Sequence, residues 1–252
     1  MESIEDKVVK SLDGEDKELY DFVSYLLQDL WEIGSSPEVI IDMVKKHIGE
    51  SNMSVLDLGC GKGAVSLKLA KAVGCRVKGI DAVKDFIYYA RDKAKEYEVN
   101  NICKFEVGDI RECHEENYDL VVFGACGDIF GDLDITITKL KTMVKNGGFI
   151  IIDDAFCEDH KKIDGYLTHE EVINTFKKNK VELIEEDIIS DEELKEINDA
   201  NNRNIAQRAN ELKIKHPDKG RIFDNYIRKQ LEECEVLENE VKCVTWLLKK
   251  AE

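Results

Sequence analysis

The chain has 252 residues, 43% hydrophobic and 35% charged, enough for one large domain or a domain plus a cap. Its formal net charge is −17, and Lys and Arg cluster only in short pairs such as Lys45-Lys46 and Lys249-Lys250. That counts against a substrate held by nucleic-acid phosphates and against an anionic membrane surface. No apolar run approaches about 18 residues, and Met1-Glu2 opens no basic-then-apolar leader. The eight cysteines form no CxxC pair and no zinc-ligand spacing, so free thiols, no metal and a cytoplasmic location are expected.

In chain order, Leu19, Phe22, Val23, Leu26, Leu27 and Leu30 space an amphipathic helix over 17–33. Ser36-Pro37 reads as an N-cap and first-turn proline opening a second helix through Val39, Ile40, Met43, Val44 and Ile48. From residue 53 strands and helices alternate. Strands are expected at 53–58, 76–80, 103–107, 119–123 and 149–152. Helices fall at 64–72, through Phe86, Ala90 and Ala94, and from Leu133 to Val144, where Asn146-Gly147-Gly148 ends the last. Thr168-His169-Glu170-Glu171 is a capping box for a further helix. Val181–Ile189 is a sixth strand and Val241–Leu248 a seventh. Such alternation implies a doubly wound α/β sheet with helices on both faces. Residues 191–240 spell two long helices, a helical insertion between strands six and seven that reads as a cap over one end of the sheet. Its thirteen acidic residues against nine basic make no clamp for RNA.

The expected division is thus N-terminal helices over 1–50, a sheet domain over 51–190 with 241–252, and the insertion over 191–240. The chemistry-bearing motif is Asp57-Leu58-Gly59-Cys60-Gly61-Lys62-Gly63, where the first strand turns into a helix. Glycines there permit a tight turn and close approach of a ligand to the backbone. Asp81 ends the next strand twenty positions after Gly61, placed to accept both hydroxyls of a ribose. The spacing also fits a dinucleotide fingerprint. Asp57 weighs against that, because a pyrophosphate beside a carboxylate is repelled while a cationic ligand is favoured.

These residues resemble the class I S-adenosylmethionine-dependent methyltransferases over roughly 53–190, with the last strand near 241–249. The resemblance implies a seven-stranded sheet whose last strand is antiparallel, with S-adenosylmethionine as cofactor. Within the family the style is that of small-molecule enzymes of ubiquinone and menaquinone biosynthesis. Asp57, Gly59, Cys60 and Gly61 look like its first motif, Asp81 its ribose-binding acid, and Ala82 the residue against adenine. Gly108, Asp109 and Ile110 are similar to its adenine-contacting segment. Tyr118–Gly124 resembles its fourth-strand motif, and Asn146–Ile152 its fifth.

Methyl transfer by in-line displacement needs the reactants aligned and water excluded, with a base only where the acceptor must lose a proton. Candidates lie beyond the carboxyl ends of the strands: Cys126 and Asp128 after strand four, Asp153 and Asp154 after strand five. Only one of the last two can face the pocket; Asp128 and Asp154 are the catalytic candidates. Substrate candidates are Tyr20, Tyr25 and Trp31 near the N-terminus and Arg208 and Tyr226 in the insertion. His169, in the first turn of a helix, reads as solvated. The expected partner is a small-molecule methyl acceptor, with no nucleic acid or membrane; a homodimer stays open. Rival readings are a protein or RNA methyltransferase, a non-catalytic S-adenosylmethionine-binding protein, and a nicotinamide-dependent oxidoreductase.

Overall fold

The computed structural model describes residues 3–49 and 52–251. It divides into two compact units, one of residues 3–31 with 189–242, the other of 32–188 with 243–251.

The second unit carries a seven-stranded sheet. Its strands are β1 (Ser54–Leu58), β2 (Arg76–Asp81), β3 (Cys103–Val107), β4 (Tyr118–Gly124), β5 (Val144–Phe156), β6 (Val181–Ile188) and β7 (Lys242–Lys250), in the order 3-2-1-4-5-7-6. Pairs β1–β2, β1–β4, β2–β3 and β4–β5 are parallel, and β6–β7 is antiparallel, as expected for the last strand. One face buries Leu56, Leu58, Val121, Phe123, Ile150, Ile152 and Trp246 in a common core with Ile137, Leu140, Val172 and Phe176. Residues one position out of phase, among them Asp57, Val122, Gly124 and Asp153, turn to the other face.

The remaining elements number in chain order. In the helical unit a helix α1 (Ile4–Ser11) is capped by Ser3, whose side chain accepts from the Asp6 N–H. The single helix expected over 17–33 is instead a 3-10 turn, Lys17–Phe22, followed by a short α2 (Val23–Leu26). Leu19, Val23, Leu26, Leu27 and Leu30 are still buried. A three-to-four-residue apolar spacing serves both geometries, so the pattern gives the buried side and not the helix type. In the sheet-bearing unit come α3 (Pro37–His47), α4 (Ala64–Val73), α5 (Lys84–Glu96), α6 (Leu133–Met143) and α7 (His169–Lys178). Helix α3 opens on the expected Ser36 cap. The insertion supplies α8 (Asp191–Lys215) and α9 (Gly220–Asn239).

Two expectations need correction. Asn146-Gly147-Gly148 does not stop helix α6. Val144 is already extended (φ −97°, ψ 145°) and pairs with Tyr118, so the three residues lie inside β5. They form an irregularity there, since the next pairing is Leu120 with Phe149. His169 is not simply solvated: its Nε2 lies 3.0 Å from Glu186 Oε2 and its ring 4.7 Å from that of Phe156. Among the described residues no helix is long and apolar enough to cross a membrane.

Candidate cofactor site

Strand β1 ends at Leu58 and helix α4 begins at Ala64, so five residues must reverse direction between them. Gly59 and Gly61 do so at φ of +69° and +50°, backbone that L residues rarely adopt. The Gly59 and Cys60 N–H groups donate to the Ile80 carbonyl at 2.8 and 3.1 Å, tying the loop to the end of β2. A Cβ on Gly59 would fall inside 3 Å of Cys126 Sγ, whereas one on Gly61 would meet nothing within 4 Å. The loop is thus wedged on one side and open at its crest.

Asp81 braces this crest. Its Oδ2 accepts from the Gly61 N–H and its Oδ1 from the Val83 N–H, both at 2.8 Å. A carboxylate offers about four acceptor positions, so capacity remains for the hydroxyls of a ribose. Half-buried Ala82 follows it. Gly108 N–H donates to the Asp81 carbonyl at 2.9 Å, bringing Gly108, Asp109 and Ile110 to the same strand ends. Ile110 is buried in the core. Burial acts to raise the Asp109 carboxyl, but Arg111 overrides it with a two-oxygen ion pair (2.6–3.0 Å), holding the group below its ordinary value.

Beneath the loop Asp57 is 4% exposed and accepts from Ser66 Oγ at 2.5 Å. Burial pushes its carboxyl up to about 7; the Ser66 hydroxyl opposes this, and the charges of Asp81 and Asp153 add to it. Burial likewise raises Asp81, opposed by its two backbone donors. Lys62 is buried, its ammonium 5.5 and 5.2 Å from the Phe86 and Tyr89 ring centres on α5. It is turned to those rings, unlike a lysine presented to phosphates. The Cys60 and Cys126 thiols are pushed well up by burial and then by neighbouring carboxylates, so they stay protonated and are poor nucleophiles.

At the end of β4, Ala125 holds φ +49°, a conformation that costs a non-glycine residue about 1–3 kcal/mol and concentrates at ligand sites. Its neighbour Gly124 pairs with Asp153 of β5. Asp153 is the carboxylate turned to the face that carries Asp57. Asp128 is exposed; Asp154, one residue on from Asp153, has an exposed surface, yet its carboxyl is raised by burial and by the charge of Asp153.

The substrate candidates belong to the helical unit. Tyr25 Oη donates to Glu211 at 2.5 Å, and Lys215 lies 4.4 Å over its ring. Arg208 grips Asp29 through Nε and a terminal nitrogen (2.5 and 2.8 Å) and also reaches Glu211. The structure therefore joins Tyr25 and Arg208 in one ion-pair network of the helical unit. Tyr226 is buried, with Asp13 nearby. Tyr20 and Trp31 are half-buried in the same unit.

Carboxylates dominate this region, and burying a carboxylate is costly unless it is paired or neutralised. A ligand with a sulfonium and an ammonium fits that charge, a ribose fits Asp81, and a backbone approach fits Gly61. A pyrophosphate could use the backbone approach but not the charge. Comparison with known proteins agrees. Residues 49–225 match a family model described as a methyltransferase domain. A ribosomal protein L11 methyltransferase of Dictyoglomus thermophilum is 30% identical over 60% of this chain and 46% of its own length. A ubiquinone biosynthesis O-methyltransferase of Hydrogenovibrio crunogenus is 33% identical over 44% of this chain and 46% of its own. The chain thus spans about half the length of these relatives. A methyltransferase from Geobacter sulfurreducens, solved with S-adenosylhomocysteine, shares the fold with TM-score 0.76 at 17% identity, covering 90% of this chain and 97% of that one.

Proposed function

Since the chain belongs to the methyltransferase-domain family, whose donor is S-adenosylmethionine, we propose that it transfers a methyl group to a small-molecule acceptor. The observation that carries this reading is the pairing of the open Gly61 crest with Asp81 above a buried Asp57. When bound, the donor supplies a methyl group already activated by its sulfonium. The protein's part is to hold, orient and exclude water. Asp81 would fix the ribose while its bonds to Gly61 and Val83 keep it from turning. The loop backbone would approach the donor where no side chain intervenes. Asp57 would supply negative charge below the cationic end. Asp128 and Asp154 are exposed carboxylates that can serve an acceptor needing to lose a proton.

A small acceptor is supported by the likeness to the ubiquinone O-methyltransferase and by the net acidic charge of the chain. A protein acceptor is the second reading, favoured by the likeness to the ribosomal protein L11 enzyme. Eight unbridged cysteines support a reducing, cytoplasmic setting. Calorimetry tests the donor: S-adenosylhomocysteine should bind and NAD should not. Release of S-adenosylhomocysteine from S-adenosylmethionine with quinol-like phenols, but not with ribosomal proteins, separates the two acceptors. Tight NAD binding without S-adenosylhomocysteine binding would overturn the whole reading.

A further inference from the structure

At the carboxyl end of β5 one polar atom has no place in the fold's own bonding. Asp153 Oδ2 is buried from solvent and has no hydrogen-bond partner. Its sister oxygen Oδ1 accepts from Thr245 Oγ1 of β7. The Ser35 hydroxyl lies alongside, on the irregular segment between α2 and α3. Gly124 leaves the room: a Cβ there would strike Ser35 Oγ and come within 2.8 Å of Asp153 Oδ2. Buried carboxylate oxygens are almost always satisfied, and an orphan calls for a reason.

Its position supplies one. Strands run β2, β1, β4, β5 across the sheet, and neighbouring strands lie about 4.8 Å apart. With its ribose at Asp81 on β2 and its cationic end above Asp57 of β1, as proposed above, a donor would run across the Gly59 loop toward β4. Its amino-acid end would then come toward Gly124, beside the free oxygen of Asp153. Ala125 follows at φ +49°, its N–H donating to the Asp153 carbonyl at 3.3 Å.

We infer that Asp153 binds the α-ammonium of the donor through Oδ2 and that a proton leaves Asp153 as it does so. The inference rests on the donor proposed above. In the free protein burial favours the protonated form, raising the carboxyl above its ordinary value, and the Ser35 and Thr245 hydroxyls only partly oppose this. The facing groups are all acidic or neutral. They are Asp57 of β1, the Cys126 thiol after β4, adjacent Asp154 and, through Asp57, Asp81 of β2. None of these favours the ionised form, whereas an ammonium does. The O–H proton then passes to buffer, the ammonium keeps its own protons, and one N–H···O bond forms. The Ser35 side chain, which now fills the space beside Gly124, would have to move aside.

Calorimetry of S-adenosylhomocysteine binding, in two buffers of different ionisation enthalpy near pH 6, reads the proton directly. Wild type should release protons on binding. Asp153→Asn should release fewer and bind about tenfold or more weakly. 5′-Methylthioadenosine, which has the adenosine and sulfur but no amino-acid end, should bind both proteins alike. Equal proton release in wild type and Asp153→Asn would assign the proton to Asp57 and overturn the inference. So would equal weakening of both ligands, which marks a structural role. Wild type that binds methylthioadenosine but not S-adenosylhomocysteine also overturns it. Failure of wild type to bind either ligand instead overturns the donor reading, and this inference with it. Should Asp153→Asn not fold, Thr245→Val keeps the carboxyl but removes its donor, so release should extend to higher pH; an unchanged profile would refute the assignment.

Discussion

Replacing Gly59 by alanine tests the loop at its wedge. The new Cβ must take a φ near +69°, which costs about 1–2 kcal/mol for a residue with a side chain. It must also enter space inside 3 Å of Cys126 Sγ, where non-bonded heavy atoms prefer about 3.5–4 Å. Overpacking of this kind costs about 1–3 kcal/mol. The stiffer unfolded chain returns about 0.4–1 kcal/mol. Gly59→Ala should therefore lose about 2–4 kcal/mol, a large part of a typical stability of about 5–15 kcal/mol. The clash has a named partner, so it can be relieved. Cys126→Ala alone should cost about 1 kcal/mol by removing a small buried group. In the double variant the steric part should vanish and the backbone part remain, giving a favourable coupling of about 1–3 kcal/mol. Urea midpoints of the four proteins, with m-values to check that unfolding stays comparable, measure this. A Gly59→Ala protein within 0.5 kcal/mol of wild type, or strictly additive losses, would refute the packing and with it the assignment of Gly59 as the loop's fixed corner.

Asp81→Ala removes both the proposed ribose acceptor and the brace on Gly61, so S-adenosylhomocysteine should bind about tenfold or more weakly by calorimetry; unchanged affinity would show that the ribose lies elsewhere. Asp57 gives stability a pH dependence. Its carboxyl, ordinarily near 3.8, sits at about 7 in the folded chain, so the native state binds more protons than the unfolded one between those values. Its contribution is full below about pH 4 and is lost as pH rises through about 7. The ligand-free protein should thus have a higher urea midpoint at pH 5 than at pH 8, and Asp57→Asn, which can still accept from Ser66, should flatten that difference. An unaltered difference in the variant would place the titration on other groups.

What the sequence could show was what local spacing controls. The glycine loop, the partner acid Asp81 and the alternation of strand and helix all depend on residues within about one turn of each other or on one strand–helix repeat. Asp153 against Asp154 could not be settled that way. Alternation along β5 is interrupted at residues 145–148, and it is the pairing with β4, from Leu120 with Phe149 to Gly124 with Asp153, that restores the phase. The stop expected at Asn146-Gly147-Gly148 failed for the same cause: Gly148 is needed there because a Cβ would crowd Val144 and the Asp119 carbonyl, a contact between strands and not within a helix. The partners of Arg208 and Tyr25 could not be read because they are remote in sequence, Asp29 lying 179 positions from Arg208 and Glu211 lying 186 from Tyr25. Helix α1 carried a readable signal in Ser3 followed by Glu5 and Asp6, but its eight residues bury only Val8 and Val9, too little periodicity to stand out.

The charge of the site separates the ligand classes that its backbone alone admits. A glycine loop at a strand–helix turn suits a pyrophosphate as well as a nucleoside with an amino-acid tail, because both need close approach and neither needs a side chain. Here, though, three carboxylates, Asp57, Asp81 and Asp153, are each raised by burial, and Asp57 feels the other two. Adding a pyrophosphate would deepen the penalty each already bears. Adding a cation reverses its sign, because the same low-dielectric surroundings that make a lone carboxylate unfavourable strengthen its attraction to an opposite charge. The lysine of the loop, Lys62, is held over Phe86 and Tyr89. A buried acidic group around an open glycine crest is a poor arrangement for a free-standing fold and a good one for a fold completed by a cationic nucleoside.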